Sequence, residues 1–472
     1  MSDSSRGSTE YEDRMSPNDA ILWQNEIDPM LRSTILSVLV LSESPDLERI
    51  DHAVQRALRH VPRLRQRVVE DPLGVAPPRW ESDPNFALRY HWRRVRISGE
   101  GSERDLLDLA QPLAMQAFDK DRPLWEMLLV EGLEGGRAAL VMKLHHAISD
   151  GVGLLRMTSS LVERDAEPRA PKQGDERRRG SSSVLEDHRE TPELGPFDRM
   201  LDAMRHRVDE NLRAGQAIRR IWTETLFHPR RALETTRSIA RTLRPVTEPM
   251  SPILRGRSLE QHFDVLEVKL ETFKQASKGV GGSLNDAFVG AMTGGLRRYH
   301  QRHGRPVDEL RMTMPINLRA GDSGRRAGNQ FAPARFSVPI GIEDPAERMS
   351  RIGELVAEQR GEPALPHLDQ ITGVLGRLPL RMTVGLLGSM LKSIDFVTSN
   401  VPGPPFPVFA GGAHVERMFG FGPLSGAALN LTLFSYDGVC QIGVNMDCAA
   451  VRDPEVLVEC LREGVAEVLA LA

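Results

Sequence analysis

Apolar and polar positions along this chain change period from segment to segment, and each run predicts an element. Thr34 to Leu41 reads as a strand, Leu47 to His60 as a helix, and Arg63 to Val69 begins another extended stretch. Pro123 to Val130 is a further strand, joined as a hairpin through Glu134-Gly135-Gly136 to the run Ala138–Leu144. That run is almost wholly apolar, as a strand covered on both faces should be. Leu154, Leu155, Met157 and Leu161 then recur at helical spacing between Val152 and Val162.

The pattern resumes after a gap. Phe263–Val268 is extended, and Ser283–His300 is helical, with Asp286 three residues after Ser283 in a capping-box arrangement. Arg311–Ile316 is a strand, and helices follow near Ala346–Gln359 and Leu378–Leu391. Phe396–Val401 runs into Pro402-Gly403-Pro404-Pro405, which ends any regular element. Ala428–Phe434 and Val439–Met446 read as strands joined at Tyr436-Asp437-Gly438.

These runs divide the chain into parts. Residues 1–14 read as disordered, and 15–165 as an α/β unit. Residues 166–195 carry Pro, Arg, Gly, Ser and Glu without periodicity, as a flexible linker does. Residues 196–254 form a helical crossover rich in arginine, and 255–472 a second α/β unit. In the crossover Arg219, Arg220, Arg230, Arg231, Arg237 and Arg241 stand beside Ile218, Ile221, Trp222, Leu226 and Phe227. A basic amphipathic helix of this kind either bridges domains in solvent or lies on an anionic membrane surface. The fold class is therefore α/β (α+β), with mixed sheets flanked by helices.

Composition narrows the function classes. At 472 residues the chain exceeds one ordinary core, and 40% hydrophobic residues suffice for packed interiors. A net charge of −4 gives no bulk attraction to nucleic acid, and aromatics at 5% offer few stacking surfaces. Cys440, Cys448 and Cys460 have no CxxC spacing and suggest a reducing interior without a disulfide framework. No signal peptide or membrane-length apolar run is evident, so the expected location is cytoplasmic, with surface association open.

The residues with the most chemical content follow the apolar strand: His145-His146-Ala147-Ile148-Ser149-Asp150-Gly151, or HHxxxDG, at a strand–turn–helix junction. Side chains alternate along a strand, so His145 and His146 point to opposite faces. One can meet a substrate while the other is held in the core. A base that works near neutral pH is what proton abstraction from an alcohol requires. The structural reading is a core histidine pair, with Asp150 capping the next helix and Gly151 relieving the turn. The fixed spacing of all four residues favours function.

Other chemistries lack their residues. No serine has glycine two positions away on both sides, and neither a GxxxxGK[ST] loop nor HExxH occurs. Adjacent histidines cannot chelate one metal as an i,i+4 pair can. The expected cofactor and metal entries are therefore none.

Further segments carry a resemblance. Met15-Ser16-Pro17-Asn18-Asp19-Ala20, Arg122-Pro123-Leu124-Trp125, Asn285-Asp286, Pro315-Ile316-Asn317-Leu318-Arg319, Gly328-Asn329-Gln330 and Ser399-Asn400-Val401-Pro402-Gly403-Pro404 occur in this order. With HHxxxDG they resemble the bacterial wax ester synthase/acyl-CoA:diacylglycerol acyltransferase family over nearly the whole chain from about residue 15. HHxxxDG alone would indicate only the wider coenzyme-A-dependent acyltransferase superfamily.

The resemblance implies two chloramphenicol-acetyltransferase-like halves with a tunnel between them. It implies an O-acyltransferase that moves a long-chain acyl group from acyl-CoA to diacylglycerol or a fatty alcohol. His146 would be the base, and Asp150 would pair with an arginine of the second half, for which Arg319 is the candidate. His145 and Gly151 complete the motif, and Pro123, Leu124 and Trp125 would shape the acyl channel. Asn285, Asp286 and Asn400 are candidate lining or binding residues. Each also has a structural reading: strand-edge packing, helix capping and a rigid turn. Acyl-CoA enters as a substrate, and a membrane or lipid-droplet surface as a candidate partner. The long charged linker and the loosely matching Pro249-Met250-Ser251-Pro252 depart from the family pattern and leave the acceptor preference open. Two alternatives stand beside this reading: a superfamily enzyme with another donor or acceptor, and a non-catalytic lipid-binding protein of the same fold.

Overall fold

A computed structural model describes residues 12–71, 74–148, 158, 160–167, 193–227, 246–317, 331–361 and 380–472. Its strands in chain order are β1 (Thr34–Leu41), β2 (Gln66–Val69), β3 (Arg79–Ser82), β4 (Trp92–Arg96), β5 (Trp125–Glu131), β6 (Ala138–His145) and β7 (Gln261–Lys269). They continue as β8 (Glu309–Asn317), β9 (Phe331–Pro339), β10 (Phe396–Pro402), β11 (Phe409–Ala410), β12 (Ala413–Phe421), β13 (Leu429–Tyr436) and β14 (Val439–Asp447). The helices used below are α1 (Pro17–Asn25), α2 (Leu47–His60), α3 (Glu103–Met115), α4 (Pro196–Phe227), α5 (Leu270–Gly279), α6 (Leu284–Arg302), α7 (Pro345–Arg360), α8 (Leu380–Lys392) and α9 (Pro454–Leu469).

Two mixed six-stranded sheets carry the architecture. The first has the order β11-β12-β1-β6-β5-β4, antiparallel except for the β4–β5 pair. The second has the order β7-β14-β13-β10-β8-β9, with β10 parallel to both β13 and β8. Strands β1 and β6 are buried at every position, which explains their unbroken apolar runs. Helix α2 lays Ile50, Ala53, Val54, Ala57 and Leu58 on the first sheet, at the spacing of one helical face. In the second half α6 is buried along most of its length and packs against α9 and α7.

One crossing ties the halves together. The alternation reading assigns no strand to Ala413–Phe421, yet β12 pairs with β1 from Leu36↔Phe421 to Leu41↔Val415. A segment that lies late in the chain thus completes the first sheet before the chain returns through β13 to the second. Between the sheets Leu36, Val38 and Val40 share a core with Phe263, Val265, Phe419 and Phe421. The Phe263 and Phe421 rings stack with centroids 4.0 Å apart. Gly443 of β14 meets the Gly420 carbonyl of β12 so closely that a Cβ would stand 2.1 Å from the oxygen. The sheets can approach this far only because residue 443 has no side chain.

At the N-terminus, residues 12–14 are not part of a disordered tail. Trp80 N–H donates to the Asp13 carbonyl at 2.7 Å, and Arg14 donates to the Pro77 carbonyl at 2.6 Å and pairs with Asp202. Main-chain pairing and buried charge hold this segment against β3. Most of the expected 166–195 linker and of the 152–162 helix lies outside the described residues. Among the described residues no helix is long and apolar enough to cross a membrane.

Candidate active site

The histidine motif leaves the end of β6 between two neighbours that grip its backbone. His145 N–H donates to the Leu124 carbonyl at 3.0 Å, and His146 N–H donates to the Ser33 carbonyl at 2.8 Å. Ile148 N–H returns to the His145 carbonyl at 3.0 Å and closes a turn. Residues 123–125 therefore act on the motif directly: the Leu124 main chain fixes where His145 leaves the sheet. Leu124 and Trp125 are themselves buried, at 0% and 4% exposure. Trp125 Nε1–H donates to the Leu64 carbonyl at 2.8 Å. Beneath it His91 stacks at 4.8 Å and donates from Nδ1 to the Trp125 carbonyl at 2.7 Å. Burial pushes the His91 imidazole below its ordinary pKa, against the pull of that carbonyl.

His145 is wholly buried. Its Nδ1 accepts from Ala147 N–H at 3.0 Å, so its proton sits on Nε2, 3.0 Å from Glu26 Oε1. The latter contact is one of charge and distance; its angle falls short of a straight hydrogen bond. Trp23 and Phe118 close on the ring edge-to-face, each with centroids 6.0 Å away. Burial pushes the Glu26 carboxyl up, but His145, the Ser33 N–H and Lys120 together hold it below its ordinary value. Ser33 thus serves both histidines, donating from N–H to Glu26 Oε1 at 3.1 Å and accepting from His146 through its carbonyl.

A second charge is buried two residues upstream. Lys143 is 1% exposed, pairs with Glu126 at 3.2 Å and places Nζ 4.3 Å from the centre of the Phe118 ring. Burial pulls its pKa below the usual lysine value, with Glu126 opposing. Lys143 and His145 lie on the same strand face and share the Phe118 ring. His146 leaves on the other side and is half-buried. One histidine is locked into the interior while its neighbour is carried toward the surface, as the strand alternation requires.

The remaining candidate residues fall into separate places. Asp150, Gly151 and Arg319, and with them the expected ion pair, lie outside the described residues. Asn285 and Asp286 sit in the first turn of α6. Asp286 closes a capping box, accepting from Ser283 N–H at 2.7 Å and Ser283 Oγ at 2.8 Å. Among the described residues the buried Nδ2 of Asn285 has no hydrogen-bond partner. Asn400 is exposed on β10 opposite Leu433. Three residues on, Gly403 N–H donates to the Ser435 carbonyl at 2.7 Å, where a Cβ would meet Phe434 and Ser435 at 2.5 Å.

Sequence reasoning missed Glu26, Ser33 and Arg257. Glu26 follows a short helix and carries no motif; only its burial marks it. Arg257 donates to the carbonyls of Leu254, Gly256, Lys392, Ile394 and Gly426, tying the segment after Pro249–Pro252 to α8 and to the loop behind β12. Within that segment Ser251 Oγ lies 2.8 Å from His300 Nε2, and Ser251 N–H donates to Asp395 at 3.0 Å. Arg257 and Ser425 line a cavity between the halves with Met30, Arg32 and Thr34, and Thr34 pairs in register with His145.

Two mixed sheets joined by a crossing strand, with a histidine motif at a strand end between them, define a class of fold seen in solved structures. A wax ester synthase/diacylglycerol acyltransferase from Marinobacter aquaeolei VT8 superposes with a TM-score of 0.61 at 20% identity, covering 96% of this chain and 98% of that one. The first condensation domain of the calcium-dependent antibiotic synthetase superposes with a TM-score of 0.59 at 16% identity, covering 98% and 96%. Residues 15–288 match the wax ester synthase/diacylglycerol acyltransferase catalytic domain, and residues 327–468 match the C-terminal domain of the same family. A candidate diacylglycerol O-acyltransferase of Mycobacterium tuberculosis is 38% identical, over 98% of this chain and 92% of its own length. A second from the same organism is 31% identical, over 93% and 92%. The chain belongs to the wax ester synthase/diacylglycerol acyltransferase family and is an acyltransferase.

Proposed function

We propose that this chain transfers a long-chain acyl group from acyl-CoA to the hydroxyl of diacylglycerol or a fatty alcohol, with His146 as general base. The observation that carries this is the division of labour at the end of β6. His145 is committed to Glu26 and Ala147, while His146 has its main chain clamped by Ser33 and its side chain on the opposite side. A base must be held in one place and still reach its substrate.

The reaction needs no covalent acyl-enzyme, because a thioester is already activated. The acceptor hydroxyl attacks the thioester carbonyl as His146 takes its proton. The new C–O bond forms, the C–S bond breaks, and the proton passes to the departing thiolate to give free coenzyme A. Holding both substrates beside one base supplies the remainder through proximity. Asp150, with Arg319 as its partner, would fix the loop that aims His146. Asn285, with a buried donor to spare, is a candidate for the developing oxyanion. No prosthetic group enters the scheme, and the expected setting is the cytoplasm.

The test is release of coenzyme A thiol from a long-chain acyl-CoA, with hexadecanol and dioleoylglycerol offered separately and the ester identified by mass. Release that requires an acceptor and vanishes in His146→Ala supports the reading. Equal release by wild type and variant removes His146 from the role of base.

A further inference from the structure

The segment 26–34 joins the two anchors of the histidine motif. Glu26 faces His145, and Ser33 donates to Glu26 from its N–H and accepts from His146 N–H through its carbonyl. Thr34 begins β1 and pairs in register with His145. Between these points the chain is locally stiff. Pro29 fixes its own backbone angle, and Asp28 Oδ1 accepts from Met30 N–H at 3.1 Å. Leu31 N–H donates to the Asp28 carbonyl at 2.9 Å and closes a single 3-10 turn, Pro29–Leu31. A stiff turn passes on a displacement of its tip rather than absorbing it.

The tip of this turn is held by the other half. Leu31, 1% exposed, lies between two glycines of the second half. A Cβ on Gly388 of α8 would stand 3.1 Å from Leu31 Cδ1, and one on Gly426, in the loop before β13, 3.0 Å from Leu31 Cδ2. Both walls of this slot are tied to one side chain. Arg257 donates to the Gly426 carbonyl at 2.5 Å and to the Lys392 and Ile394 carbonyls, at and just past the end of α8, at 3.0 and 2.9 Å. On either side of Leu31, Lys392 Nζ pairs with Asp28 at 2.5 Å and Ser425 Oγ donates to the Arg32 carbonyl at 3.3 Å. Glycine inside a helix is less favourable than alanine, so Gly388 costs α8 stability where it makes room for Leu31.

We infer that Leu31 is a positioning residue for the reaction. Seated between Gly388 and Gly426, it sets the 28–32 turn, and through Glu26 and Ser33 it sets where His145 and His146 leave β6. The placement of the base in the first half is thereby fixed by how the second half seats against it. The inference rests on His146 as the base and gives Leu31 no contact with substrate.

The experiment uses the full chain with isotope-labelled histidine rings followed by NMR, the His146 signal being identified by its loss in His146→Ala. Gly388→Val fills the slot and pushes the turn. It should lower kcat per folded molecule at least about tenfold, within the roughly hundredfold that a 1 Å misplacement can cost, and leave KM for acyl-CoA within about twofold. The His146 signal should move with it. Shortening Leu31 in that background, as Leu31→Ala with Gly388→Val, should restore most of kcat and return the signal. Leu31→Val alone, a gentler change, should move the signal and lower kcat several-fold, and it supplies the readout where Gly388→Val does not fold. A His146 signal at its wild-type position in both single variants overturns the inference, as does wild-type kcat per folded molecule in both. A lowered thermal midpoint with kcat and signal unchanged assigns the slot to packing alone and overturns it too. Turnover that survives His146→Ala would remove the base instead, and the His146 signal would still decide whether Leu31 positions the motif.

Discussion

Glu26 and His145 meet 3.0 Å apart in the interior of the first half, 119 positions apart in the chain, with Glu26 at 5% and His145 at 0% side-chain exposure. The Ala147 N–H fixes the proton of His145 on Nε2, and Glu26 faces that nitrogen in the interior and helps to hold the ring still. His146, the next residue, inherits its position from that anchor, so an acid far from the motif in sequence acts on the motif through its neighbour.

Removing the acid should therefore disturb both stability and turnover. Glu26→Ala leaves the buried Nε2–H of His145 and the Ser33 N–H facing a void and should cost about 1–3 kcal/mol of unfolding free energy, read from denaturant midpoints. Glu26→Gln should cost less and keep more activity, since an amide oxygen can still face Nε2 and the Ser33 N–H.

The same pair predicts a pH dependence. The Glu26 carboxyl is held below its ordinary value of 4.5, so its stabilisation is fully present above that value. It is lost as pH falls through the lower, folded value. Wild type should lose stability across this acid range more steeply than Glu26→Gln, and parallel slopes would remove Glu26 as the source.

His146→Ala should lower kcat by roughly 10²- to 10⁴-fold, the contribution of a positioned base, while the thermal midpoint changes little. A half-buried side chain leaves a smaller void than a core one.

Asp286 makes the opposite forecast. Its carboxylate is spent on the capping box, so Asp286→Ala should cost about 1 kcal/mol of stability and leave turnover per folded molecule near wild type. Differential scanning calorimetry with activity normalised to folded protein distinguishes this from a role in substrate binding.

Gly443→Ala should be among the most damaging small changes. A methyl group 2.1 Å from the Gly420 carbonyl forces the sheets apart, at a cost of about 1–3 kcal/mol or more. A thermal midpoint equal to wild type would mean that the sheet contact is looser than described.

Local pattern made much of this fold legible. Thr34–Leu41, Leu47–His60 and the capped helix beginning after Ser283 announce themselves through period and end signals, and the structure places β1, α2 and α6 there. Strand β4 was harder to read because Arg93, Arg94 and Arg96 stand on an exposed edge, where polar residues block further pairing and hide the apolar signal. Strand β12 was illegible for another reason. Which strand a segment pairs with depends on contacts between residues hundreds of positions apart, and no local period encodes that. The site divides in the same way. The histidines and the segment 123–125 declared themselves by spacing, whereas Glu26 is one acid among many until burial singles it out.

The crossing of β12 also bears on how this protein is made. Residues 409–421 supply two strands of a sheet whose other members are all complete by residue 145. During synthesis β1 must wait with one edge open and its apolar side chains uncovered until nearly the whole chain has emerged. A fragment ending after the histidine motif would share that fate permanently and aggregate, and the missing strands supplied as a separate peptide could restore it.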